Sequence, residues 1–122
     1  MESPHKGKTG LARIWNALFH SLEGLAAAFR HEPAFRLEVV LAAVLIPAAF
    51  WVPASGGGRA LMIGSVLLVL IVELLNSALE AAVDHASTDH HPLAKRAKDI
   101  GSAAVLIALL NVPAAWLLVL FG

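Results

Sequence analysis

Glu73-Leu74-Leu75-Asn76-Ser77-Ala78-Leu79-Glu80-Ala81-Ala82-Val83-Asp84 closes a long apolar run that begins at Ala60. Glu73, Asn76, Glu80 and Asp84 stand at i, i+3, i+7 and i+11. At about 100° per residue they share roughly 80° of a helix surface. Most of the remaining circumference is Leu, Ala and Val. The spacing predicts a helix that carries a one-sided ladder of carboxylates through an apolar medium. An unpaired carboxylate is costly there, so the ladder needs a metal ion, a proton or basic groups as partners.

Working outward, the composition supports a membrane setting. Of 122 residues, 58% are hydrophobic and 15% charged, whereas soluble domains are about a quarter charged and under half apolar. The apolar excess is concentrated in Leu37–Val52, Ala60–Val83 and Ala103–Phe121. Each run reaches or approaches the length needed to cross about 30 Å of hydrocarbon as a helix. A soluble bundle would need charged outer faces, and the third run has no charge at all. The expected fold is therefore an all-α membrane protein with three transmembrane helices.

Charge placement orients it. Lys6, Lys8, Arg13, Arg30 and Arg36 precede the first span, and Lys95, Arg96 and Lys98 lie between the second and third. Arg59 alone lies between the first and second. The positive-inside bias puts the N-terminus and the 85–99 loop in the cytoplasm, and the 53–59 loop outside. Val52-Pro53-Ala54 has some likeness to a signal-peptide cleavage site. The polar region ahead of it is too long, and it carries Glu23, Glu32 and Glu38. There is no cysteine, so no disulfide is expected, and the zero net charge argues against nucleic acid as a partner.

Before the first span, Leu11, Ile14, Trp15, Leu18, Phe19, Leu22, Leu25 and Phe29 repeat at three- and four-residue steps, opposite Arg13, Asn16, His20, Glu23 and Arg30. This predicts an amphipathic surface helix over 10–32, ended by Pro33. The spans are placed at 34–52, 60–86 and 96–121, with Pro53–Arg59 as a turn and no separate domain. Pro47 and Pro113 interrupt the first and third spans. Gly101, Ala104 and Ala108 are expected to form the packing face of the third. His85, His90 and His91 are read as solvated loop histidines rather than a metal site.

The residue types suit phosphoryl transfer, which needs a divalent cation, basic groups around phosphates and an acceptor for the hydroxyl proton. Glu32, Glu80, Asp84 and Asp99 supply carboxylates near one membrane face, and Arg13, Lys95, Arg96 and Lys98 supply positive charge at that level. Glu73 lies about 10 Å deeper than Glu80. The shallow carboxylates can meet a nucleotide from water, and the deep one a hydroxyl offered from lipid. No soluble-kinase motif is present: Gly7-Lys8-Thr9 lacks the upstream glycine and the strand of a P-loop.

The ladder, together with Ala94-Lys95-Arg96-Ala97-Lys98-Asp99-Ile100-Gly101-Ser102-Ala103-Ala104-Val105 and Glu32-Pro33-Ala34-Phe35-Arg36-Leu37-Glu38, resembles the prokaryotic diacylglycerol kinase family. The likeness runs from about Gly10 to Gly122. It implies a small inner-membrane kinase that phosphorylates diacylglycerol with MgATP, working as a homotrimer with active sites shared between chains. By position, the resemblance implies Glu73 as proton acceptor, with Glu80 the alternative, and Glu32 and Glu80 as Mg²⁺ ligands. The nucleotide is expected near Arg13, His20, Glu32, Glu80, Asp89, His90, His91, Lys98 and Asp99. The lipid is expected near Arg13, Phe35, Arg36, Glu38, Trp51, Arg59, Glu73, Ser102 and Trp116, and Asn76 is expected to orient the carboxylates.

A related branch of the family phosphorylates undecaprenol. The Glu-x-Ala-Phe-Arg-x-Glu form favours the diacylglycerol branch. Buried carboxylates also mark proton or cation pathways. A transporter subunit would need the ladder to continue outward, yet residues 60–72 are wholly apolar apart from Ser65, so the polar path stops halfway.

Overall fold

The computed structural model describes residues 10–87 and 91–122. Four helices follow one another: α1 (Gly10–His31), α2 (Pro33–Trp51), α3 (Gly56–Ala86) and α4 (Pro92–Phe121). The last three, of 19, 31 and 30 residues, are long and apolar enough to cross a membrane.

Both sharp corners are made in the same way. Only Glu32 separates α1 from α2. Pro33 has no N–H, so it cannot serve the Phe29 carbonyl four residues back. Arg36 Nη1 donates to that carbonyl and to Arg30 O instead, each at 2.9 Å. At the second corner Pro53 cannot serve Ala49. Arg59 Nε donates to Ala49 O at 2.8 Å, and Nη2 reaches Val52 O at 3.3 Å.

Two helices begin earlier than the sequence suggests. The turn expected over Pro53–Arg59 is shortened because α3 starts at Gly56. Ser55 Oγ accepts from Gly58 N at 3.0 Å, an N-cap that offsets the poor helix propensity of three glycines. Likewise α4 starts at Pro92 rather than near 96. His91 Nδ1 accepts from Leu93 N at 3.0 Å, and proline is well tolerated in the first helical turn.

Packing follows seams of alternating three- and four-residue steps. On α2 the buried residues are Phe35, Glu38, Ala42 and Ala49; on α3 they are Met62, Ser65, Val66, Val69 and Glu73. Helix α3 packs on α4 along one side and on α2 along another, while α1 rests chiefly on α2. On α4 the seam is Gly101, Val105, Ala108 and Val112, half-buried or buried. Ala104, expected on this face, is exposed. It lies one residue, about 100°, away from the 4-3-4 stepping that faces α3. Trp116 Nε1 donates to Met62 O at 3.1 Å and ties the far halves of α3 and α4.

Helix α4 buries only Ala108, although it carries exposed Leu106, Ile107, Leu110, Leu117, Leu118 and Phe121. So large a continuous apolar surface is stable against hydrocarbon or other protein, not against water.

Candidate active site

The carboxylate ladder continues the α3 seam. Val69, Glu73, Asn76 and Glu80 follow the 4-3-4 stepping of Met62, Val66 and Val69. The polar residues therefore occupy the packed stripe of the helix. Glu73 is 6% exposed and Glu38, on the facing seam of α2, is 8% exposed. Glu73 feels the charges of Glu80 and Glu32, and Glu38 feels that of Glu73, so four carboxylates share one electrostatic neighbourhood. Glu32 occupies the N-cap position of α2 without capping it through its side chain, where the helix dipole favours an anion.

Asn76 Nδ2 donates to Glu80 Oε1 at 3.0 Å, fixing one carboxylate oxygen. Asn76 Oδ1 and Glu38 Oε2 are buried without a hydrogen-bond partner. Glu38 is the charged residue in the wall of a cleft of about 180 Å³ between α2, α3 and α4, whose other lining residues, including Leu41, Leu45, Val69, Leu109 and Pro113, are apolar. A slot of hydrocarbon character with one carboxylate in its wall suits the hydroxyl-bearing end of an amphiphile.

A second, polar cavity of about 510 Å³ opens where α3 ends and α4 begins, lined by Asp84, His91, Lys95, Lys98 and Asp99 among others. Lys98 Nζ lies 2.5 Å from Asp84 Oδ1, and Lys95 Nζ donates to Asp99 Oδ2 at 2.6 Å. A third groove of about 760 Å³ runs between α1 and α3, with His31, Glu32 and Ser77 in its wall.

The structure thus brings together Glu32, Glu38, Glu73, Asn76 and Glu80, and separately His91, Lys98 and Asp99. Phe35 is buried beside them in the α2 seam. Arg13 and His20 are exposed on α1, with His20 Nδ1 3.7 Å from Glu23 Oε1. Trp51 and Ser102 are exposed, Trp116 is half-buried, and Arg36 and Arg59 are engaged with backbone carbonyls. Asp89 and His90 lie outside the described residues. The sequence reading did not foresee the Asp84–Lys98 pair or the roles of the two arginines at the corners. The signal for the latter is an arginine shortly after a helix-ending proline.

The fold and site define a small helical membrane protein with a buried carboxylate centre between an apolar cleft and a mouth lined by lysine–aspartate pairs. The sequence profile of prokaryotic diacylglycerol kinase matches residues 19–120, and the chain belongs to that family. It is 58% identical to a diacylglycerol kinase of Pseudomonas aeruginosa over 120 residues, covering 98% of each chain. It is 50% identical to one of Haemophilus influenzae, covering 93% of this chain and 96% of the relative. With one of Escherichia coli it shares 46% identity over 93% of each chain.

Proposed function

We propose that this protein transfers the γ-phosphoryl group of ATP to the free hydroxyl of diacylglycerol, giving phosphatidic acid. The observation that carries this is the set of interacting carboxylates Glu32, Glu38, Glu73 and Glu80, of which Glu38 lines an apolar cleft, in a chain so similar to named diacylglycerol kinases.

Glu73 accepts the hydroxyl proton. It is buried, so it meets a hydroxyl held in lipid rather than water. Glu38 offers its unpartnered oxygen to the lipid end, and Phe35, Arg36, Trp51, Arg59, Ser102 and Trp116 flank the lipid. Arg13, His20, His91, Lys98 and Asp99, with Asp89 and His90, face the nucleotide. Glu32 and Glu80 present the oxygen donors of a hard cation. Among the described residues no three acidic or histidine groups are close enough to share a metal; two carboxylates suit Mg²⁺, which completes its shell with phosphate oxygens and water. When bound, Mg²⁺ neutralises charge on the phosphates. Asn76 orients Glu80 through its amide.

The chain works as a homotrimer with shared sites. In support, Glu32 lines a groove on one side of α3, whereas Lys98 and Asp99 line the cavity on the α4 side. A neighbouring copy can bring the two sets together. Helix α1, with no buried residue and with exposed Leu11, Ile14, Trp15, Leu18 and Phe19, lies on the inner face of the inner membrane. Arg59 and Glu80 are about 32 Å apart along α3 at 1.5 Å per residue. That span matches about 30 Å of hydrocarbon and leaves Glu73 inside it.

The test is label transfer from ATP by the purified protein, with diacylglycerol and undecaprenol offered in parallel. Labelled phosphatidic acid is expected. Label on undecaprenol alone would move the protein to the other acceptor, and label on neither would remove the kinase reading.

A further inference from the structure

We infer that Gly101 on α4 is a positioning residue that sets the orientation of Glu80 by acting through Asn76. The inference rests on the proposed reading in which Glu80 holds the cation.

Asn76 is gripped at both ends of its amide. Its Nδ2 donates to Glu80 Oε1 at 3.0 Å. Its Oδ1 is buried, has no hydrogen-bond partner and points at Gly101. A Cβ added to Gly101 would overlap Asn76 Oδ1, crowd Asn76 Cγ at 3.2 Å and touch Leu79 Cδ2 at 3.6 Å. Every other residue type carries that Cβ, so only glycine leaves the amide where it is. The amide cannot escape by turning over, because Oδ1 would then face Glu80 Oε1, acceptor against acceptor. The requirement is for room, not for an unusual backbone angle, since Gly101 is helical. A Cα–H directed at Oδ1 gives that oxygen its one weak donor.

The position is also selective among the glycines. A Cβ at Gly24, Gly57 or Gly64 would meet nothing within 4 Å, and one at Gly58 would meet Val119, far from the carboxylates. Glycine inside a helix costs about 1 kcal/mol relative to alanine. At Gly101 that cost is offset by close approach of α4 to the Asn76 amide. Groups that orient a metal ligand from behind typically change metal affinity or activity by about 10–100-fold when removed.

The experiment compares wild type, Gly101→Ala, Asn76→Ala, the double variant and, as control, Gly57→Ala. Three quantities are measured in micelles: Mn²⁺ binding in the presence of a non-hydrolysable ATP analogue, from the paramagnetic resonance of free Mn²⁺; the Mg²⁺ dependence of the rate; and thermal unfolding. Gly101→Ala is expected to weaken Mn²⁺ binding and raise the half-saturating Mg²⁺ by about 10–100-fold, with KM for diacylglycerol unchanged. Gly57→Ala, where α3 leaves room for a Cβ, should match wild type in Mn²⁺ binding and Mg²⁺ dependence and be no less stable. Adding Asn76→Ala to Gly101→Ala removes the overlap, so thermal stability should rise while Mn²⁺ binding stays weak. If Gly101→Ala does not fold, the double variant should fold and bind Mn²⁺ no better than Asn76→Ala. Wild-type Mn²⁺ affinity in Gly101→Ala, or a double variant no more stable than Gly101→Ala, overturns the inference and leaves the kinase reading intact. Weakened Mn²⁺ binding in Gly101→Ala, beside a wild type that transfers no phosphate to lipid, removes the kinase reading and keeps the inference.

Discussion

Lys98 Nζ sits 2.5 Å from Asp84 Oδ1, joining the polar end of α3 to the start of α4. Both side chains are substantially exposed, and exposed ion pairs contribute about 0–1 kcal/mol. The pair therefore does little for stability. It holds an ammonium group in the wall of the polar cavity proposed to receive the nucleotide. Asp84→Asn should change unfolding stability by less than about 1 kcal/mol yet raise KM for ATP severalfold, because Lys98 is released. Steady-state kinetics against ATP, beside thermal unfolding, check both halves. An unchanged KM would mean that Lys98 needs no tether.

The deep and shallow carboxylates should separate in kinetics. Glu73→Gln is expected to cut turnover by about 10²–10⁴-fold, the usual scale for losing a general base, without moving the Mg²⁺ dependence. Glu80→Gln and Glu32→Gln should raise the Mg²⁺ concentration for half-maximal rate as well as lowering the rate. Rate measured against Mg²⁺ for each single variant decides the matter. If Glu73→Gln shifts the Mg²⁺ curve and Glu80→Gln does not, the two roles are exchanged.

Arg59, proposed to flank the lipid, also has a structural part that stability measures. Its Nε–H serves the Ala49 carbonyl that Pro53 leaves unpaired. Arg59→Ala should cost about 1–3 kcal/mol, the penalty for a part-buried acceptor left without its donor. Arg59→Lys should recover only part of this, since an ammonium cannot reach Ala49 and Val52 as a planar fork does. Unfolding of the variants in mixed micelles would measure it. Equal stability of wild type and Arg59→Ala would show that lipid or water serves that carbonyl equally well.

Sidedness is open to labelling, helped by the absence of native cysteine. Ser55→Cys should react with an impermeant thiol reagent from outside intact cells, and Ser87→Cys only after the membrane is opened. The reverse pattern would invert the proposed orientation and put the cavity proposed for the nucleotide on the wrong side.

Much of this molecule is legible in its sequence because apolar length and helical spacing are local properties. The three long helices and the shared face of Glu73, Asn76 and Glu80 follow from those two rules. The helix starts at Gly56 and Pro92 were not legible, since the caps at Ser55 and His91 outweigh local propensity. Nor was the choice of Val105 over Ala104 on the α4 seam. That register is set by how α4 lies on α3, and small residues on both sides of the seam look alike in a sequence. Glu38 was legible as a polar residue at the start of a span. Its burial against the Glu73 stripe depends on the crossing of α2 and α3, which only the fold supplies.

The two proline–arginine corners bear on how the chain is made. Pro33 and Arg36, and Pro53 and Arg59, are close neighbours in sequence. Each corner therefore has its donors and acceptors as soon as a short length of chain has emerged. Closing a loop of about ten residues takes some 10–100 ns, whereas a ribosome adds about 5–20 residues per second. The α2–α3 corner can set while most of α3 has yet to emerge. The reversal of chain direction is thereby decided during translation, and α4 arrives last, at a hairpin already folded back on itself.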